Sequence, residues 1–247
     1  MSIRNKEVKT ANGARLLLGY LGLFLMVESI MVLLPLFILI FYPSESGCWM
    51  DFVYPAIGGF VVGALLASIC LLGRKPGKFL KNQESVLLIF LWLGAVTLSA
   101  FPFFLAKNNS TLDMSYLESF FEAMSGYSTT GLTVYSGFLD QGYEFAHVFL
   151  FHRAMMQFIG GVGLVLVVTS VISDKRNVQL FNAEGHGDHL LPSMGKTAQW
   201  IFGIYIVYIA IGTVALYLCG MDLFEAFCHS VSCLATGGFS TRSGGLL

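Results

Sequence analysis

Ser115-Tyr-Leu-Glu-Ser-Phe-Phe-Glu-Ala-Met-Ser-Gly-Tyr-Ser-Thr-Thr-Gly-Leu132 returns in outline 107 residues later as Asp222-Leu-Phe-Glu-Ala-Phe-Cys-His-Ser-Val-Ser-Cys-Leu-Ala-Thr-Gly-Gly-Phe239. Aligned without a gap, Glu118 falls on Glu225, Phe120 on Phe227, Ser125 on Ser232, Thr129 on Thr236 and Gly131 on Gly238. Internal repetition at a fixed spacing signals a structural unit used twice. Each copy opens on Ser115 with Glu118, or Asp222 with Glu225. This spacing predicts a capping box or a close relative, starting a helix of about ten residues that ends at a Ser/Thr/Gly turn.

The surroundings of the two copies are apolar. Of 247 residues 55% are hydrophobic and only 12% charged, and mean hydropathy is +0.72. Soluble domains carry about 25% charged residues. Five stretches reach the roughly 20 residues a membrane-crossing helix needs: Leu16 to Tyr42, Phe52 to Leu72, Ser85 to Ala106, Phe145 to Ile172, and Thr197 to Cys219. The first of them reads as a retained span, because it is too long for a signal peptide and no small-residue cleavage pattern follows. The fold class expected is an all-α integral membrane protein in which each repeated motif is a re-entrant half-membrane hairpin.

Net charge is −1, but in such a chain the placement of charge carries the information. Arg4, Lys6, Lys9 and Arg15 precede the first span; Arg74, Lys75, Lys78 and Lys81 follow the second; Lys175, Arg176 and Lys196 flank the segment between the fourth and fifth. The bias of Lys and Arg toward the cytoplasm puts these regions and the N-terminus inside. The loops around Pro43 to Asp51 and Lys107 to Asp113, with both motif copies, are then outside.

Irregular backbone survives at membrane depth only where protein buries it or where it lines a watery cavity. Each short helix would aim its C-terminal, partially negative end at its turn, which favours a cation there. Several neutral carbonyl and hydroxyl oxygens together can replace the hydration shell of a potassium ion. Glycine lets the chain visit the backbone conformations that such convergence requires. Ser128 to Thr133 and Ala235 to Ser240 contain no carboxylate, which points to a monovalent ion.

These residues resemble the Trk/Ktr/HKT superfamily of potassium transporters, and most closely the bacterial TrkH-type subunit. The resemblance rests on Phe121-Glu-Ala-Met-Ser-Gly126, the turns Ser128-Thr-Thr-Gly131 and Ala235-Thr-Gly-Gly-Phe-Ser-Thr241, Phe151-His-Arg-Ala-Met-Met-Gln-Phe-Ile-Gly-Gly-Val-Gly163, and Phe181-Asn-Ala-Glu184. It implies helix/pore-loop/helix repeats of a potassium-channel-like pore, preceded by two extra helices. On that reading 1–83 is the two-helix unit, 84–173 the first repeat, and 174–247 a cytoplasmic loop plus an incomplete second repeat of outer helix, pore helix and filter. Thr129, Thr130 and Gly131 would form the first filter segment, and Thr236, Gly237 and Gly238 the second, holding the potassium ion as transported ligand.

The family uses four such units around one pore. The chain is therefore expected to need the missing C-terminal repeats, or a second copy, to close a pore in the lipid bilayer. The resemblance further implies a homodimer of the full transporter with a cytoplasmic nucleotide-binding regulatory subunit, in the bacterial inner membrane. No enzyme activity, cofactor or nucleic-acid partner is expected. A non-conducting fragment or assembly partner, and mixed sodium/potassium transport, are the alternatives. Glycine at both visible filter centres leans toward potassium, since in the plant relatives serine at the first such position goes with sodium preference.

Other residues have two readings each. Glu28, inside the first span, marks a functional site by default or is a protonated or hydrogen-bonded carboxyl facing the second helix, near a kink at Pro35. Arg153 either snorkels to the interface or pairs with Glu118 or Glu122. Gly160-Gly-Val-Gly163 is a close-packing face or a hinge. His186, Asp188 and His189 could ligate a metal or belong to a solvated loop. The five cysteines show no metal-ligand spacing and read as small apolar fillers. His147, His152 and Glu144 gather at one end of one helix, too few for an intramembrane hydrolase.

Overall fold

The computed structural model describes residues 10–72, 75–76, 83–106, 113–134, 146–172 and 194–242. Seven α-helices lie in these stretches: α1 (Ala14–Leu33), α2 (Trp49–Leu71), α3 (Gln83–Leu105), α4 (Tyr116–Tyr127), α5 (His147–Ile172), α6 (Met194–Leu218) and α7 (Leu223–Leu234). The extended pairs β1 (Thr10–Ala11) and β2 (Lys75–Pro76) run parallel, Thr10 opposite Lys75. Contacts divide the chain into two units, Met1–Ala123 with Tyr143–Phe149, and Met124–Gly142 with Leu150–Leu247.

In the first unit α1, α2 and α3 pack on one another. An α-carbon of Gly22 approaches α2 so closely that a Cβ there would lie 2.6 Å from the Gly63 carbonyl oxygen. Small residues permit this backbone approach, which is how helices associate where no hydrophobic effect drives them together. Phe52, Phe103 and Phe149 are fully buried, with ring centroids 5.1 Å apart for Phe52 and Phe149 and 5.9 Å for Phe103 and Phe149. Outward faces are strongly apolar: Ile40 is 68% exposed and Ile69 70%, as is Trp200 at 73% in the second unit. An exposed apolar surface of this kind matches a lipid environment.

Pro35 does not simply bend the first span. The α-helix passes at Leu34 into a 3₁₀ segment, Leu34–Ile40, because proline has no N–H for the i−4 carbonyl. The loop expected from Pro43 to Asp51 is mostly helical too. Pro43–Cys48 forms a second 3₁₀ segment leading directly into α2, with proline at the helix start where its missing donor costs nothing. The carboxylate of Glu45 in this segment lies 2.6 Å from His147 Nδ1 and accepts from Val148 N at 3.3 Å. It thereby caps the N-terminus of α5 from a distance in sequence, and the Tyr42 ring stacks on His147 at 3.8 Å.

Glu28 is buried at 3% exposure and accepts from Ser99 Oγ at 3.3 Å. The reading of Glu28 as a hydrogen-bonded carboxyl holds, with Ser99 of α3 as one partner. All five cysteines are free, with Cys48, Cys70 and Cys228 buried and Cys219 and Cys233 exposed. Four helical stretches among the described residues are long and apolar enough to cross a membrane: Ala14–Ile40, Pro43–Leu71, Ser85–Leu105 and Gln199–Leu218. The fifth expected span, α5, runs 26 residues as one helix. Phe181 to Glu184, His186, Asp188 and His189 lie outside the described residues.

Candidate ion-coordinating turns

The two copies of the sequence motif fold alike. In the first, Ser115 N and Oγ both donate to Glu118 Oε2 at 2.7 Å, while Glu118 N donates to Ser115 Oγ at 3.3 Å. That is the full reciprocal capping box. In the second, Asp222 caps through Oδ2 to Phe224 N at 3.0 Å, but the carboxylate of Glu225 turns away to Arg242, whose Nε donates to it at 3.1 Å. The difference has a chemical origin. Ser115 can donate a hydroxyl proton to Glu118, whereas ionised Asp222 only accepts and would repel Glu225. The bond to Glu225 pushes the Arg242 guanidinium above its ordinary pKa, so it stays charged.

Both short helices, α4 and α7, span 12 residues and close on the same hydrogen bonds, 107 positions apart. Ser128 N donates to Met124 O at 2.9 Å, Thr129 N to Gly126 O at 3.0 Å and Thr130 N to Ser125 O at 3.0 Å. Their counterparts are Ala235 N to Val231 O at 3.0 Å, Thr236 N to Cys233 O at 3.0 Å and Gly237 N to Ser232 O at 2.9 Å. This is the Schellman pattern, which needs a left-handed residue after the helix and normally takes glycine. Here threonine occupies it, with φ 53° at Thr129 and 57° at Thr236. A β-branched residue at positive φ is a genuine outlier, and such strain gathers at functional sites.

Two residues later φ is positive again, 77° at Gly131 and 83° at Gly238, while Thr130 and Gly237 between them are not in the left-handed region. Each turn thus sits at the C-terminal, partially negative end of a helix, with the same pair of positive-φ positions. Ser128 Oγ and Thr130 Oγ1 lie 2.8 Å apart at the exposed side of the first turn.

The six residues singled out from sequence all lie in the second unit, where Gly131 meets Gly237 and Gly238. A Cβ on Gly131 would collide with the carbonyl oxygen of Gly237 and lie 3.3 Å from the carbonyl carbon of Gly238. Helix α5 supports both turns. A Cβ on Gly160 would strike the carbonyl of Tyr127, the last residue of α4, and one on Gly161 would lie 3.1 Å from the Cβ of Ala235, which caps α7. Of the two readings of Gly160 to Gly163, close packing holds at the first two glycines.

Arg153, one face up from those glycines, is buried at 2% exposure and does not snorkel. Its Nη1 donates to Ser240 O at 2.9 Å and its Nη2 to Thr133 Oγ1 at 3.0 Å, with the Phe239 ring 4.2 Å from Cζ. Thr133 and Ser240 are equivalent positions of the two copies, so one guanidinium spans the repeat. Ser240 Oγ donates to His229 Nε2 at 3.1 Å and accepts from Arg242 N at 3.0 Å. The His229 tautomer follows from Nδ1 at 2.8 Å from the carbonyl of Glu225, which can only accept.

Sequence reading missed Gln157, fully buried beneath Gly237, where a Cβ would meet its carboxamide. It also missed His229 as a support. A signal existed for the first: Arg153, Gln157, Gly160 and Gly161 recur at helical spacing and share one face of α5.

Comparison with known proteins identifies the family. The family described as a cation transport protein, TrkH, matches residues 55–246. The chain is 29% identical over 233 residues to the Trk system potassium uptake protein TrkG of Escherichia coli K12, covering 90% of this chain and 45% of the relative. It is 32% identical over 190 residues to TrkH of the same organism, covering 74% and 38%. The crystal structure of the potassium transporter TrkH from Vibrio parahaemolyticus superposes with a TM-score of 0.75 at 27% identity, covering 94% of this chain and 45% of that one. The chain spans about half the length of the curated relatives it matches. Its apolar helices make it a multi-pass membrane protein, and the chain belongs to the TrkH family of cation transport proteins.

Proposed function

We propose that this chain supplies two of the oxygen-lined turns of a selectivity-filter pore through which potassium enters a bacterial cell. The observation that carries the reading is the matched backbone of Thr129 to Gly131 and Thr236 to Gly238, left-handed at the first and third residue of each. Rows of neutral oxygens at two helix C-termini suit a partly dehydrated monovalent cation. Potassium as the ion is supported by relatives named as potassium uptake proteins.

On this reading the repeats follow the division 1–83, 84–173 and 174–247, and the ion path is closed by further filter turns, from the remainder of the transporter or from a second copy. The whole works as a homodimer with a cytoplasmic nucleotide-binding regulator in the inner membrane, N-terminus inside. The Lys and Arg clusters at 4–15, 74–81 and 175–196 support that orientation. The activity is transport, without bond-breaking chemistry.

The test is growth at limiting potassium of a bacterial strain lacking its own uptake systems, carrying the complete transporter with Gly238→Ser. Uptake and potassium preference over sodium should both fall. Unchanged uptake and preference would overturn the reading. Liposomes containing only this chain distinguish a self-assembling channel, which would admit rubidium, from a component that conducts only with further repeats.

A further inference from the structure

We propose that one water molecule is built into the support of the second turn, bound between Ser232 on α7 and Thr241 just beyond the turn. Among the described residues, Ser232 Oγ and Thr241 Oγ1 are buried without a hydrogen-bond partner. Both line the same small cavity, of about 10 Å³, together with Arg153, Cys228, Phe239 and Ser240. Two independent facts thus point to one ligand. Buried hydroxyls left unmet cost free energy, and the space is about one water sphere, the lower bound for holding a water among two to four polar partners.

The chemistry of the wall excludes the obvious competitors. The buried guanidinium of Arg153 makes the cavity hostile to a cation. Its volume is too small for a halide, which is larger than water. A neutral dipole that both donates and accepts satisfies two hydroxyls at once. Such a water ties the body of α7 to the segment that follows Gly238, while Arg153 holds Ser240 O directly at 2.9 Å. The segment following the second turn is then braced from two sides, by Arg153 at Ser240 O and by the water at Thr241.

This inference does not rest on potassium passage, and its readouts are structural. In the full chain in detergent, Ser232→Ala and Thr241→Val should each shift the folded-to-unfolded ratio by about tenfold, lowering the unfolding midpoint by about 2–4 °C. The double variant should fall no further than the worse single one, since the water leaves with its first partner. Thr241→Ser, which keeps the hydroxyl, should behave as the parent and guards against a merely steric loss. An experimental structure should show a density peak within hydrogen-bond distance of both hydroxyls. Additive or absent losses, no peak, or an anomalous peak after bromide soaking would overturn the proposal.

Discussion

Gly131 presents its α-carbon to the carbonyl oxygen of Gly237 with no room for a Cβ between them, whereas Gly238, its partner by repeat, has open space where a Cβ would go. Two glycines equivalent in sequence are therefore required for different reasons. Gly131 is required by packing and by its φ of 77°, and Gly238 by its φ of 83° alone.

Alanine at each should separate these demands. Gly131→Ala should cost about 2–4 kcal/mol, combining overpacking with left-handed strain. Gly238→Ala should cost about 1–2 kcal/mol from strain alone. Unfolding midpoints in detergent check the order, and equal losses would contradict it.

Threonine in the left-handed region carries strain of about 1–3 kcal/mol. Thr129→Gly and Thr236→Gly should leave stability unchanged or slightly raised, because relief of that strain offsets the added freedom of the unfolded chain. Transport should suffer instead. A drop of roughly tenfold in potassium preference over sodium, equivalent to about 1.4 kcal/mol, is expected in competitive uptake.

Close packing of α5 predicts opposite outcomes within one glycine cluster. Gly160→Ala would drive a methyl group into the Tyr127 carbonyl and should lower the unfolding midpoint by several degrees. A Cβ at Gly163 meets nothing within 4 Å, so Gly163→Ala should be neutral or add up to about 1 kcal/mol of helix stability. A hinge at this site would show the reverse in transport rate, with Gly163→Ala the damaging change.

Arg153 reaches Ser240 O and Thr133 Oγ1 with two nitrogens of one planar fork. Lysine has a single ammonium and cannot reproduce that span. Arg153→Lys should cost about 1.5–3 kcal/mol, the net worth of a hydrogen bond to a charged group, and a thermal midpoint equal to the parent's would refute the bridge.

Glu28 accepts from Ser99, a role that a glutamine oxygen also fills. Glu28→Gln should keep ion preference and stability near the parent's, while Glu28→Leu should lose about 0.5–1.5 kcal/mol with the hydrogen bond to Ser99. Altered potassium preference in Glu28→Gln would assign the carboxylate to the ion path.

The spans, the repeat, the two short helices and the glycines at their ends could all be read along the chain, because hydropathy, capping and left-handed turns depend on residues within a few positions of each other. Even the failure of the second capping box has a local part, in the acceptor-only chemistry of Asp222. What could not be read depends on the path of the chain. Glu45 capping a helix that begins about a hundred residues later, Arg153 reaching the two repeat-equivalent residues Thr133 and Ser240, and Gln157 seated under Gly237 are meetings that local sequence does not specify. Polar groups within an apolar helix announce that each must find a partner, but only packing in three dimensions chooses which one.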